Sequence, residues 1–138
     1  VAQAVRETRQ AGIQAHGYFM FGFMDETPQT VEETIAFARQ LDLDSAGFDV
    51  MVPFPGTPEF DLFKSEGLLL TEKWSDYDVM GKPVYRHRNV SDEVLFEAPR
   101  RAYRQFYLRP KIMVRHARKI ATPRGLRTYL KSARLMFS

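Results

Sequence analysis

Two hydrophobic runs, each ending in a polar loop and a Thr-Pro step, carry the residues best suited to ligand chemistry. The first is Gly17-Tyr18-Phe19-Met20-Phe21-Gly22-Phe23-Met24-Asp25-Glu26-Thr27-Pro28, and the second is Phe48-Asp49-Val50-Met51-Val52-Pro53-Phe54-Pro55-Gly56-Thr57-Pro58. Gly22 precedes the acids Asp25 and Glu26 in the first, and Asp49 stands mid-run in the second, an unusual place for an acid in a strand. Thr27 and Thr57 are 30 positions apart, about the length of one strand-plus-helix unit. Two such units in succession predict parallel strands with helices outside them. In that architecture ligands bind at the C-terminal ends of the strands, so both loops should share one mouth. The spacing locates chemistry without specifying it.

Each of these residues also has a purely structural explanation. Gly22 would suit a turn. Asp25 and Glu26 precede a helix N-terminus, where acids are favourable with no ligand at all. Asp49 reads as an inward-facing site residue or as a salt-bridge partner, because a buried acid needs some partner. His16 reads as a packed strand residue rather than a ligand. His87 and His116 lie far along the chain, so no metal site is visible. Met20, Met24 and Met51 read as core filler.

At 138 residues the chain is one ordinary domain or a piece of a larger one. Its 44% hydrophobic and 27% charged content is globular. No apolar run approaches the roughly 20 residues that span a bilayer, and no signal peptide is visible. The absence of cysteine removes disulfides, a thiolate nucleophile, a cysteine zinc site and a thiolate-held iron–sulfur cluster from this segment's own chemistry. It also fits a reducing, cytoplasmic setting. The chain opens at Val1 inside an apparent helix, as a piece of a longer protein would. The net charge of +3 conceals a division: residues 1–99 hold 8 Lys/Arg and all 17 Asp/Glu, a balance of −9, whereas residues 100–138 hold 12 Lys/Arg and no acid. The two segments should have different partners.

The elements that must position the loops follow from pattern and punctuation. A helix ends near Ala11, with Gly12 as its stop. Residues 14–21 predict a strand, with Gly17, Phe19 and Phe21 on one side and His16, Tyr18 and Met20 on the other. Both sides are largely apolar, as for a strand covered on both faces. The next helix starts with Thr27 as N-cap and Pro28 at its first position, or with Thr30 as cap and Glu33 completing a capping box; it runs to about Leu41. Residues 46–52 predict the second strand, and Pro53-Phe54-Pro55-Gly56 a stiff loop. Thr57 caps a short helix that Gly67 closes. Residues 68–90 read as a long connection packed by Trp74, Tyr77, Met80 and Tyr85. Ser91 starts a helix that Pro99 should kink or restart. Pro110 and Thr122-Pro123 restart the last two helices. Three segments result: 1–67, the connection 68–90, and a basic helical extension 91–138.

The stretch from Gly17 to Thr27, the helix after it, and Val52-Pro53-Phe54-Pro55-Gly56-Thr57-Pro58 resemble the second half of a radical S-adenosylmethionine (SAM) barrel. The closest resemblance is to the subgroup with an upstream cobalamin-binding domain, which includes anaerobic magnesium-protoporphyrin monomethyl ester cyclases and various methyltransferases, and it implies a place in tetrapyrrole biosynthesis. The tail from Phe106 to Pro110, followed by basic helices, is similar to that subgroup's C-terminal extension. The resemblance implies an α/β fold: a partial (β/α) radical SAM barrel of two parallel βα units, followed by a mainly α-helical C-terminal extension. The family's fifth strand carries a Gly-x-Ile-x-Gly-x-x-Gly-Glu type motif near the SAM adenine. By that resemblance Phe19, Phe21, Gly22, Asp25 and Glu26, with Asp49, Pro53 and Gly56 from the next strand and loop, would line the cofactor. Tyr18 and Met20 fall in the same stretch. Asp25 stands where glycine is usual and Met24 where proline is usual. The family binds its [4Fe-4S] cluster through Cys-x-x-x-Cys-x-x-Cys, which this chain lacks. The resemblance therefore implies a C-terminal fragment that does not cleave SAM alone, its cluster and cobalamin held by missing parts of the parent enzyme. The missing barrel half would be its partner, and unpaired strand edges would make the isolated chain self-associate.

The tail suggests a further partner. Leu126, Tyr129, Leu130, Ala133 and Phe137 fall on one helical face, with Arg124, Arg127, Lys131 and Arg134 largely on the other. Such a helix over residues 123–137 can lie on an anionic membrane surface, or dock on the acidic half or on the missing domain; nucleic acid is the weakest reading, since no RNA-binding motif accompanies the charge. The alternative to an enzyme fragment is a non-catalytic α/β binding module with a basic docking tail.

Overall fold

A computed structural model describes residues 1–77 and 83–121. The expected helix over 123–137, and Met80, lie outside the described residues. The order is α1 (Ala2–Gln10), β1 (His16–Phe21), α2 (Pro28–Gln40), β2 (Ser45–Val50), α3 (Pro58–Ser65), a 3-10 turn (Trp74–Asp76), α4 (Asp92–Tyr107) and α5 (Pro110–Ile120). β1 and β2 pair in parallel, His16 opposite Ser45 through Phe21 opposite Val50. The chain is thus α/β, with a two-stranded parallel sheet and five α-helices among the described residues. Among those residues no helix is long and apolar enough to cross a membrane.

Local chemistry sets the boundaries. Thr27, not Thr30, caps α2: its hydroxyl accepts the Thr30 N–H, and Thr30 Oγ1 accepts the Thr27 N–H at 2.9 Å. Glu33, the partner expected for a Thr30 cap, instead accepts from Gln29 at 2.8 Å. Pro28 fits the first turn because its missing N–H would have had no helical partner there. α4 continues through Pro99 with no restart. Leu95, Ala98, Ala102 and Phe106 bury one face on both sides of the proline, and that packing offsets the loss of one backbone hydrogen bond.

The helices cover one face of the sheet. Phe48 of β2 stacks on Phe19 at 5.2 Å between ring centroids and meets Tyr103 and Phe106 of α4 edge-on at 5.2 and 6.0 Å. Phe21, Val31, Ile35, Ala38, Leu95 and Ala102 complete this core. The expectation that β1 is covered on both faces is not met within the chain: Tyr18 is 82% and Met20 49% exposed. α2, which links the two strands, and α4 pack together on a single side of the sheet, and nothing among the described residues buries the other.

One sheet edge is also covered. The Met51 N–H donates to the Phe21 carbonyl, so odd-numbered residues of both strands turn their backbone groups toward each other and even-numbered residues turn theirs outward. On the outer edge of β2, the Ala46 N–H donates to the Tyr107 hydroxyl at 3.0 Å, and that hydroxyl donates to the Ala46 carbonyl at 2.9 Å. The Phe48 N–H donates to the Tyr103 hydroxyl at 3.2 Å. α4 thus occupies the place of a third strand. The expectation of exposed edges is corrected for β2; only β1 turns an outer edge away from these helices.

At the N-terminal end of the strands, the turn Asp42-Leu43-Asp44 gathers three cations from two helices. Asp42 pairs with Arg9 at 3.1 Å, Lys111 at 2.9 Å and Arg115 at 2.9 Å. Asp44 pairs with Arg9 at 2.8 Å and Arg115 at 3.3 Å and accepts the Ala15 N–H at 3.0 Å. Burial alone would raise both carboxyls; the hydrogen bonds from Arg115 and Lys111 and the charge of Arg9 outweigh it at Asp42, holding it at about 2. The Ala15 N–H, Arg9 and Arg115 likewise hold Asp44 below the usual carboxylate range.

Two outcomes follow. Tyr107→Phe should leave both Ala46 backbone groups without their partner and destabilise the chain by about 1–3 kcal/mol, read as a lower urea midpoint, with more self-association through the freed edge; an unchanged midpoint would contradict the edge-capping role. Groups with depressed folded pKa values stabilise above the unfolded value and lose that stabilisation as pH falls through the folded one. The thermal midpoint should therefore drop as pH falls from about 4 to about 2. Asp42→Asn should flatten that decline.

Candidate functional site

Both loops leave the same end of the sheet, because the strands are parallel and in register. Loop one follows β1. Gly22 is buried with φ +95°, and a Cβ there would lie 2.2 Å from the Tyr85 hydroxyl oxygen. Only glycine fits both the conformation and the space. The Glu26 carboxylate is 8% exposed; it accepts the Gly22 N–H at 3.1 Å with one oxygen and the Thr30 hydroxyl with the other. Asp25 is exposed, and no non-glycine residue among those described has positive φ, so aspartate replaces the usual glycine there without backbone strain.

Loop two follows β2. Pro53 is fully buried. Residues 54–57 form a turn with Pro55 and Gly56 at its centre, Gly56 at φ +88° and the Thr57 N–H donating to the Phe54 carbonyl at 3.1 Å. The Thr57 hydroxyl donates to the same carbonyl at 2.8 Å and accepts the Phe60 N–H, starting α3.

The connection 68–90 holds both loops. It folds back on itself through the antiparallel bridge between Leu69 and Tyr85. The Tyr85 hydroxyl donates to the Gly22 carbonyl at 3.3 Å. His87 Nδ1 accepts the N–H groups of Asn89 and Val90, each at 3.1 Å. That leaves Nε2 as the protonated nitrogen, donating to the Phe23 carbonyl at 2.7 Å. Asn89 reaches the Met24 carbonyl. Phe54 of loop two packs on Trp74 and Tyr77, each at 6.0 Å. Burial, with the nearby charges of Asp92 and Glu26, pushes the Tyr85 phenol well above its usual range, so it stays a neutral donor. Sequence reasoning missed the roles of Tyr85, His87 and Asn89, because each acts on a loop more than 60 residues away. The Thr30 hydroxyl was visible only as an alternative helix cap.

The nominated residues therefore divide. Phe19 and Phe21 turn toward the helices and serve the core, Phe21 with no exposed surface. Gly22, Glu26, Pro53 and Gly56 shape the loops. Asp49 is exposed on the open face, opposite Met20 and beside the row of His16 and Tyr18. It takes part in none of the described ion pairs, so its carboxylate is available to accept hydrogen bonds from hydroxyl or amino groups. Tyr18 and Met20 offer apolar surface next to it. Among the described residues no group of three or more His, Cys, Asp or Glu could hold a metal ion. With no cysteine in the chain, its own residues do not fit a thiolate-held cluster.

The open strand face and the two loops meet at the C-terminal end of the strands, the end at which α/β units in general bind ligands. No protein-family model matches the chain. Over 112 residues, 81% of the chain, it is 39% identical to an uncharacterized methyltransferase of Pyrococcus horikoshii, of which the match covers 24%. It is 30% identical over 103 residues (75% of the chain, 22% of the relative) to the bacteriochlorophyllide d C-12(1)-methyltransferase of Chlorobaculum tepidum. It is 27% identical over 107 residues (78% and 17%) to the anaerobic magnesium-protoporphyrin IX monomethyl ester cyclase of Cereibacter sphaeroides. The relatives are thus methyltransferases and a cyclase, and the chain spans less than a quarter of the length of each.

Gly22→Ala should cost more than about 1 kcal/mol, since alanine is strained at positive φ and displaces the Tyr85 hydroxyl. Chemical denaturation should show the loss, together with faster amide exchange in residues 22–27. A neutral substitution would mean that the loop is not held as described.

Proposed function

We propose that this chain is the C-terminal part of a radical SAM methyltransferase or cyclase barrel, and that its open strand face forms part of the wall against which SAM binds. The observation that carries the proposal is the uncovered row of Tyr18, Met20 and Asp49 between two loops held rigid by the rest of the chain. The similarity to methyltransferases and a cyclase supports the same reading.

The residues fit one side of an adenosyl group. Tyr18 and Met20 offer apolar contact, and the Asp49 carboxylate can accept from ribose hydroxyls or an amine. SAM supplies methyl or adenosyl-group chemistry when bound. The chain's own part is to orient it and, through the packed loops, to exclude water. The iron–sulfur cluster and any cobalamin belong, in this proposal, to other parts of the enzyme. The outer edge of β1 would pair with the preceding barrel strand. A tetrapyrrole substrate is the first to test, because two of the relatives are named for acting on one. The basic segment 123–137 would bring the enzyme to an anionic membrane surface.

Titration of the chain with SAM, followed by amide NMR, should move signals of Tyr18, Met20, Asp49 and residues 22–27. Asp49→Ala should weaken binding by about tenfold, the loss of one hydrogen bond to a charged group. Shifts absent from these positions, or unaffected by Asp49→Ala, would overturn the assignment.

A further inference from the structure

At the end of the sheet opposite the two loops, α2, α4 and α5 enclose an open groove of about 510 Å³ lined by Arg39, Arg101, Arg104, Gln105, Leu108 and Arg109. Its volume is that of a small-molecule site, and four guanidiniums among these residues give it a concentrated positive charge. Two of them are fastened. Arg109 lies over the Phe106 ring at 4.2 Å, donates from Nε to the Phe106 carbonyl at 2.9 Å, and donates from Nη1 to the Arg39 carbonyl. Its buried Nη2 has no hydrogen-bond partner. Arg39 donates to Gln105 at 3.1 Å. Among the described residues, Glu32 pairs with Arg101 at the rim, and the charge of Asp42 acts favourably on Arg109 without outweighing burial and its cationic neighbours. Arg104 takes part in none of the described ion pairs or side-chain hydrogen bonds.

Part of this clustering has a structural cause. Arg39 and Arg104 sit in the last turns of α2 and α4, where cations complement the helix dipole. That accounts for one cation at each helix end. It leaves unexplained four around one concavity, where burial and the charges of Arg39 and Arg115 already press the Arg109 guanidinium below its usual range. A bound oxyanion would relieve that repulsion, and guanidiniums match phosphate oxygens in charge and in fork geometry.

We propose that the groove between α2, α4 and α5 binds a phosphate group through Arg39, Arg101, Arg104 and Arg109. The inference is independent of the SAM assignment, since it concerns the other end of the strands. The phosphate would sit on a soluble metabolite or on a phospholipid headgroup. Exposed Leu108, Met113 and Val114 lie on the groove and on α5 after it, so both sources are to be tested.

The experiment is calorimetric titration of the chain with inorganic pyrophosphate at low salt, alongside sedimentation with phosphatidylcholine vesicles with and without phosphatidic acid. Saturable pyrophosphate binding, weakened about tenfold or more by Arg104→Gln, supports a soluble ligand. Binding only to phosphatidic acid vesicles, measured with Arg124, Arg127, Lys131 and Arg134 all replaced by glutamine so that the basic segment does not contribute, and lost with Arg104→Gln, supports a headgroup. Arg88→Gln, which removes an exposed arginine paired with Glu66, should change neither. Arg101→Gln serves as second groove variant if circular dichroism shows that Arg104→Gln does not fold. No saturable binding in either arm, or equal loss with Arg88→Gln, would overturn the proposal.

Discussion

The Tyr107 hydroxyl, bonded to both the N–H and the carbonyl of Ala46, is the interaction on which the rest of this structure depends. A two-stranded parallel sheet has two open edges and two open faces, and is marginal by itself. α4 closes one edge with Tyr107 and Tyr103 and one face with Phe106, Ala102, Ala98 and Leu95. The same helix therefore satisfies backbone groups and buries apolar surface. Because the tyrosines occupy the outer edge of β2, further pairing is directed to β1 alone.

With the sheet secured from one side, the other side is free to act as a surface. The loops above it are held from outside by the connection 68–90. Tyr85, His87 and Asn89 bond to carbonyls of loop one, and Trp74 and Tyr77 pack against Phe54 of loop two. Glu26 is turned inward to the Gly22 N–H and the Thr30 hydroxyl. Its charge is used to fix a loop, which leaves Asp49 as the acid on the open face. These contacts fix both loops relative to the open face, and none of them uses the side chains of Tyr18, Met20 or Asp49.

The opposite charges of the two halves also find a structural use. Arg115 and Lys111 reach the acids of the α2–β2 turn, and Arg101 reaches Glu32. α4 and α5 are thereby docked on the acidic segment by charge as well as by packing. The surplus arginines collect in the groove at the same end.

The two βα units, the Thr57 cap and the stiff Pro53–Gly56 loop were legible in the sequence, as was the α2 cap to within a choice of Thr27 or Thr30, because each depends on local chemistry: periodicity, proline geometry and side chains that reach backbone three residues away. The sequence also singled out Gly22, Glu26 and Asp49 as candidate site residues, of which Asp49 alone was unusual for its position. Which strand face would be buried was not legible in β1, since both of its faces are largely apolar; the side on which α2 and α4 pack decided that Phe19 and Phe21 serve the core while Tyr18 and Met20 are exposed. The persistence of α4 through Pro99, the capping of β2 by Tyr103 and Tyr107, the bracing of loop one by residues more than 60 positions distant and the arginine groove were decided only by tertiary structure. Each is a contact between segments far apart in the chain, and no local pattern encodes such a meeting.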